Sequence, residues 1–451
     1  MNYYLEIAAK NNPKVMQRFN EYQAALQKVP QVSSLPDPQL EMGVFLSPME
    51  LIGGSQVADI KLMQMFPWFG VIKNAKDEMS LMAKAKYEAF IDAKLQVFYE
   101  VQSIWFDLYK VRRNLAISEG NMELLKSIER LSIGKFKSGS TNNASSSGSS
   151  KMSGIGIASS SGSGGGMSGS MNGISAGSNA SAISSNKGVS VPKNSSMSSG
   201  SSSLADVYRI QIEISDLENS IALLKNEEQI IRARFNSQLN RSLTLPVSVS
   251  DSLSVEPLAI SYLSVSDSMF IQHPMLTMLK YDQQSIGARK KMQKQMGLPM
   301  IGVGLNYSVI AKNSMSTSHM NGDDMIMPML SISLPIYRKK YSSIQTESTY
   351  LKTALENNYQ ATVNALKTEY YEALQLYFDA QRRMRLYQNQ SQLTRKSFDI
   401  LLKSYAASAT GLTEIVQLQQ QLLDYEMRQE AAKTDFNKSK AWIERLNATL
   451  R

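Results

Sequence analysis

Ser203-Leu-Ala-Asp-Val-Tyr-Arg-Ile-Gln211 is answered in the second half of the chain by Gly411-Leu-Thr-Glu-Ile-Val-Gln-Leu-Gln419. Leu, an acid, a β-branched residue and Gln recur in the same places. The match belongs to an ordered series. Asn12-Pro13 is answered by His273-Pro274 and, at that offset, Gln23 by Gln284, Pro38 by Pro299 and Gly43 by Gly304. Phe66-Pro67-Trp68 is answered by Leu334-Pro335-Ile336. Chance yields one such pair, whereas an ordered series points to an internal repeat. With the Gly/Ser-rich tract 138–203 set aside, the halves are nearly equal in length.

Each half reads in the same order. A short amphipathic helix opens it, at about Tyr4–Lys28 and again at Pro274–Met296. Alternating stretches follow, Gln39–Leu46 and then Met300–Val309. In the second copy Ile301, Val303, Leu305, Tyr307 and Val309 share one face, and Gly302, Gly304, Asn306 and Ser308 the other. A period of two, apolar against small or polar, is the signature of a strand with unlike faces. A turn region and a second strand (Val57–Phe66; Met325–Leu334) complete a hairpin. Its arms are about ten residues long, enough to cross a bilayer when tilted. Pro67 and Pro335 then mark the change to a helical period, since proline cannot donate to a ladder.

The helical parts are long. Continuous patterns at about 73–137 and 338–407 would each reach ~100 Å at 1.5 Å per residue. Returning helices follow at about 204–240 and 412–450. In the first of these, Val207, Ile210, Ile214, Leu217, Ile221, Leu224, Glu228, Ile231 and Phe235 step by three and four, with one charged exception. The second repeats the spacing from Leu412 through Phe436. This is a coiled-coil seam. The chain therefore divides into a first repeat at 1–245 (strands within 39–66, insert at 138–203), a linker at 246–267 and a second repeat at 268–451 (strands within 300–334). The linker is expected to hold one short strand.

Composition narrows the function. The 451 residues contain no cysteine and two histidines, so thiolate and His-rich metal sites, Cys nucleophiles and a histidine-based catalytic centre are not expected. No nucleophile elbow, P-loop, HExxH or dinucleotide fingerprint occurs, and the chain is read as a non-enzyme without cofactor. The net charge of +9 is scattered among acids, so nucleic acid is not implied. No apolar run reaches the ~20 residues of a transmembrane helix. No secretory signal is visible ahead of the amphipathic start, and a targeting segment is expected to precede this sequence.

Four strands cannot close a barrel with room inside, and an open sheet edge in lipid leaves backbone groups unsatisfied at several kcal/mol each. Three copies would supply a 12-stranded barrel, with the helices forming a tube. Phe66, Trp68, Phe69 and Tyr337 would then line one membrane face as an aromatic belt. Plain packing at a domain junction is the competing reading.

Repeated halves of strand, strand, long helix and returning helix resemble the TolC family of outer-membrane efflux channels. So do the two Leu-x-Asp/Glu-Val/Ile-x-x-x-Gln elements at Leu204–Gln211 and Leu412–Gln419. The opening Asn-Asn-Pro and Leu35-Pro-Asp-Pro-Gln-Leu40 match as well. The similarity spans nearly the whole chain except the Gly/Ser insert. It implies an α+β membrane protein of two tandem repeats, each a β-hairpin plus a long coiled-coil hairpin. It also implies a homotrimer with a barrel in outer-membrane lipid and a periplasmic helical tunnel. The expected partners are a periplasmic adaptor (a membrane fusion protein) and an inner-membrane pump, of RND type. Function would be passive conduction of the pump's substrates. An adaptor, or a structural coiled-coil protein without a channel, is the alternative.

The family's narrow periplasmic aperture maps onto Asp206 and Glu414, with Arg209, Gln417, Tyr208 and Tyr405 nearby. Here Glu replaces the usual Asp in the second copy, and Gln417 adds no charge. Each acid also suits the first turn of a helix, where the macrodipole favours it, so capping alone explains it equally well. Met152, Met167, Met171 and Met197 punctuate the insert, and others cluster in the strands and outer loop: Met42, Met49, Met63, Met65, Met315, Met320, Met325, Met327 and Met329. Thioethers suit Cu(I) and Ag(I). The pattern resembles the copper/silver-efflux, CusC-like branch of the family, while adaptable apolar filling is the plainer account.

Overall fold

The computed structural model describes residues 1–51, 54–141, 204–250, 252–258, 273–314, 319, 321–407 and 411–448. Two compact units emerge. The larger holds Met1–Met122, Leu217–Lys396 and Gln420–Arg451; the smaller holds Glu123–Asp216 and Ser397–Gln419.

The elements run α1 (Asn2–Asn11), α2 (Pro13–Ser33), β1 (Gln39–Leu51), β2 (Gly54–Phe66), α3 (Val71–Thr141) and α4 (Leu204–Gln238). They continue with α5 (Pro274–Met296), β3 (Met300–Ala311), β4 (Met325–Ser333), α6 (Arg338–Ala406) and α7 (Leu412–Leu446). Neither α3, of 71 residues, nor α6, of 69, contains a proline. Nothing therefore removes an i→i−4 hydrogen bond over their lengths. The α3 helix continues past Lys137 to Thr141, into the first residues read as insert.

The opening segment differs from expectation, because it is two helices and not one. Asn12 stops α1 in an extended conformation (φ −66°, ψ 125°) and its side chain accepts from the Lys14 amide at 2.9 Å, while Pro13 occupies the first turn of α2. A proline whose missing N–H is an orphan anyway starts a helix without cost. His273-Pro274 does the same for α5, with Nδ1 of His273 accepting from the Met275 amide at 3.2 Å. The paired Asn-Pro and His-Pro are thus one capping device used twice. Asn12 Nδ2 also donates to the Gln238 carbonyl at 2.8 Å, fastening the α1–α2 corner to the end of α4.

Two clusters form the core of the larger unit. In one, Leu5 and Ala8 of α1 and Val15 of α2 pack with Phe98, Val101, Trp105 and Leu108 of α3 and with Ile231 and Phe235 of α4. In the other, Leu276 of α5 meets Leu366, Tyr370, Ala373 and Tyr377 of α6 and Phe436 and Ile443 of α7. The charged exception in the α4 seam has a partner: Glu228 accepts from Arg112 Nε of α3 at 2.9 Å. The same guanidinium donates to the Val247 carbonyl at 2.9 Å. A carboxylate stands at a seam position because a cation from α3 reaches it and holds the following segment. That segment carries no strand among its described residues 243–250 and 252–258, and the rest of the linker in which a short strand was expected, 259–267, lies outside the described residues. Pro246 and Pro257 deprive it of donors, and its amides turn to side chains, as Ser248 N does to the Tyr4 hydroxyl at 2.9 Å.

Candidate functional site

The strands form one antiparallel sheet in the order β1-β2-β3-β4. Its register sorts the side chains. Leu62 lies opposite Leu305, and Leu305 opposite Pro328; Val303 lies opposite Leu330, and Ile301 between Phe66 and Ile332. This face also carries Met42, Val44 and Ile60. Val44 is 72% exposed and Leu330 70%. A continuous apolar surface of this kind is not stable against water. On the other face lie Glu41, Asp59, Lys61, Asn306, Ser308 and Ser331, and Lys61 pairs with Glu41 at 3.0 Å. One face suits lipid, the other water.

Methionine breaks the pattern on the polar face, where Met63, Met65, Met325, Met327 and Met329 all lie. Gly304 sits between Met63 and Met329, and Gly302 between Met65 and Ser331. The glycines make room: a Cβ on Gly302 would lie 2.5 Å from Met65 Sδ and 3.2 Å from Met63 Sδ. Two thioethers therefore rest side by side over bare backbone. Met42 is on the apolar face, and Met315 and Met320 lie outside the described residues, as do Met152, Met167, Met171 and Met197.

Both outer edges of the described sheet, on β1 and β4, carry a proline. Pro48 coincides with a break in the β1–β2 register between Val44 and Met49, and this bulge lets β1 continue to Leu51, beyond the Leu46 expected. At the junction with α3, Phe66 is 40% exposed and Phe69 84%, while Trp68 stands edge-on to Phe69 with ring centres 6.0 Å apart. Tyr337, before α6, is equally open at 81%. Gly70 takes φ +87°, a conformation that admits the sharp strand-to-helix corner.

The smaller unit gathers the ends of α3 and α6 and the starts of α4 and α7. Its core is Ile128, Ile210, Phe398, Tyr405, Leu412, Ile415 and Val416. Asp206 and Glu414 both lie in the first turn of their helices. Arg209 donates to the Thr413 hydroxyl, beside Glu414, which brings the two helix starts together. Tyr405 is buried. Its hydroxyl meets that of Ser132 at 2.7 Å, its carbonyl accepts from Lys135, and the Lys135 ammonium stands 3.8 Å from the ring centre. Burial lowers the Lys135 pKa from the usual lysine range. Tyr208 and Gln417 are exposed. Gln211 donates to Glu129 at 3.0 Å. Sequence reasoning missed Ser132, Lys135, Glu129 and Thr413; the i, i+3 spacing of Ser132 and Lys135 on α3 was the available signal.

Solved structures share this arrangement. The outer-membrane channel OprN aligns over 99% of this chain and 89% of its own at a TM-score of 0.71, with 14% identity. CusC, solved in a study of folding and transmembrane channel formation, aligns over 99% and 91% at 0.72 with 13% identity. The Campylobacter jejuni outer membrane channel CmeC aligns over 99% and 85% at 0.71 with 12% identity. The chain has the fold of the TolC-family outer-membrane channels. No protein-family model matches it, and no curated protein sequence does. At these identities the likeness fixes the path of the backbone, and the function has to be argued from this chain's own residues.

Proposed function

We propose that three copies of this chain close a 12-stranded barrel in the outer membrane and serve as the exit duct of a tripartite efflux system. The observation that carries this is the four-stranded sheet with one apolar, exposed face, one polar face and, among the described residues, two unpaired edges. In lipid those edges need partners, and symmetric closure supplies them. Phe66, Trp68, Phe69 and Tyr337 then form the interfacial belt, and the helices form the periplasmic tunnel. The element order supports a duplication, with copies at 1–245 and 268–451 joined by a linker at 246–267. A periplasmic adaptor and an RND-type inner-membrane pump would deliver the substrate, and no catalytic step or cofactor is assigned. The test is reconstitution: purified protein should run as a trimer in detergent and give stepwise conductance in planar bilayers. A stable monomeric particle without conductance removes the proposal.

Within that duct the acids of the smaller unit are assigned to the aperture. Six carboxylates, from Asp206 and Glu414 of three chains, would favour cations, with Arg209 and Gln417 beside them and Tyr208 at the surface. The Tyr405–Ser132–Lys135 group, packed into the core, would hold the helix ends in place. Asp206→Ala with Glu414→Ala is expected to move the reversal potential in a salt gradient towards non-selectivity. An unchanged potential leaves these acids as helix caps alone.

The transported material is most specifically indicated by the thioethers. Drug-like molecules would need only a wide lumen, but Met63 and Met65 over Gly302 form a soft-donor pair on the water-facing side of the sheet, suited to Cu(I) or Ag(I) as cargo. Ag(I) added to the purified protein should be retained, and Met63→Leu with Met65→Leu should lose most of it. Gly302→Ala, which displaces the Met65 sulfur, should weaken it while leaving the trimer intact. Equal retention by all three proteins reduces these methionines to lining.

A further inference from the structure

A cavity of about 830 Å³ lies in the larger unit, bounded by the end of α2, the start of α3, α5 and the start of α6. That volume is in the ~300–1,000 Å³ range of small-molecule sites. Its walls are largely apolar, and Met79, Met82 and Met292 contribute unbranched side chains that can repack around an occupant. Three charged groups reach it: Glu78 of α3, and Asp282 and Arg289 of α5. Glu78 is only 7% exposed, and among the described residues neither it nor Asp282 has a hydrogen-bond or ion-pair partner for its carboxylate. Arg289 acts on Glu78 only through space, and Lys86, which acts on Asp282, is engaged by Glu21 at 3.5 Å. Burial pushes both carboxyl pKa values up, and the charges of Arg289 and Lys86 offset this only in part.

We propose that this cavity is a binding site for an amphipathic organic cation, a molecule with one positive centre and an apolar body of drug size. An anion would face two carboxylates against the single Arg289 guanidinium. A neutral molecule would seal Glu78 further from water without pairing it, which is costly. A cation supplies the missing countercharge and covers the methionine wall with its apolar part. The site lies within one chain, on helices outside the sheet.

The decisive experiment compares two probes of the same shape and opposite charge, tetraphenylphosphonium and tetraphenylborate. Each is dialysed to equilibrium against the full-length protein in detergent, with protein-free micelles as the blank. Tetraphenylphosphonium should be retained saturably above the blank and tetraphenylborate should not. Glu78→Gln with Asp282→Asn should weaken retention by about tenfold or more, a change of ~1.4 kcal/mol. Met82→Trp should abolish it by filling the space. The amides remove desolvated charge, so the double variant should melt no lower than the parent, and loss of binding cannot then be assigned to unfolding. Equal retention of the two probes, a double variant within about twofold of the parent, or full binding by Met82→Trp would each overturn the assignment.

Discussion

Leu305→Arg is expected to abolish assembly in the outer membrane. Leu305 is central in β3, opposite Leu62 on one side and Pro328 on the other, on the apolar face of the sheet. An Arg at the bilayer midplane of a barrel costs ~2–4 kcal/mol, and the proposed threefold closure would repeat that cost in every subunit. Met327→Arg places the same side chain on the opposite face of the neighbouring strand, among Asn306 and Lys61. There it would stand in water and should be tolerated. The measurement is the yield of trimer extracted from outer-membrane fractions. Loss with Leu305→Arg and retention with Met327→Arg is the expected pair of results. Equal yields would mean that the apolar face is not turned to lipid, and the barrel would fall with it.

The face assignment of β3 was legible without coordinates, because strict alternation from Met300 to Val309 has one physical reading. The helical seams were legible for the same reason: a three-four spacing survives even one charged exception. What periodicity cannot carry is a partner far away in the chain. Glu228 looked anomalous until Arg112, on another helix, was seen to reach it. The cavity acids were invisible for the same cause, since Glu78 and Asp282 belong to different halves and neither stands in a motif. The break between α1 and α2 was missed for a different reason. Asn12-Pro13 is a helix start, but the apolar pattern runs on across it and period alone does not register a corner. Tyr405 was placed near the proposed aperture by resemblance. Its contacts with Ser132 and Lys135 were not legible, because they depend on which way a side chain turns. Methionine type and number were countable from the outset, yet only the register separated the thioethers on the polar face from Met42 on the other.

Phe235→Ala is expected to undo the N-terminal part of the larger unit without undoing the rest. Phe235 is fully buried, and its ring meets that of Tyr4 edge-on at 5.1 Å. The Tyr4 hydroxyl accepts from the Ser248 amide, and Arg241 stands 5.3 Å from the Tyr4 ring. One phenyl group therefore supports α1, the end of α4 and the segment after it. Removing a buried Phe side chain costs ~3–5 kcal/mol. The α1 helix has ten residues, too few to persist unsupported in water, so its amides should exchange first, followed by those around Val247. The cluster containing Phe235 has no buried member from α5, α6 or α7, which have their own around Tyr370 and Phe436. Hydrogen exchange should accordingly speed up through α1 and the C-terminal turns of α4 while α6 keeps its protection. Leu393→Ala, at a residue 64% exposed, should leave both patterns within about 0.5 kcal/mol of the parent. If α6 lost protection together with α1, the two clusters would be one cooperative core, and the division of stability between the α3–α4 and α6–α7 pairs would have to be given up.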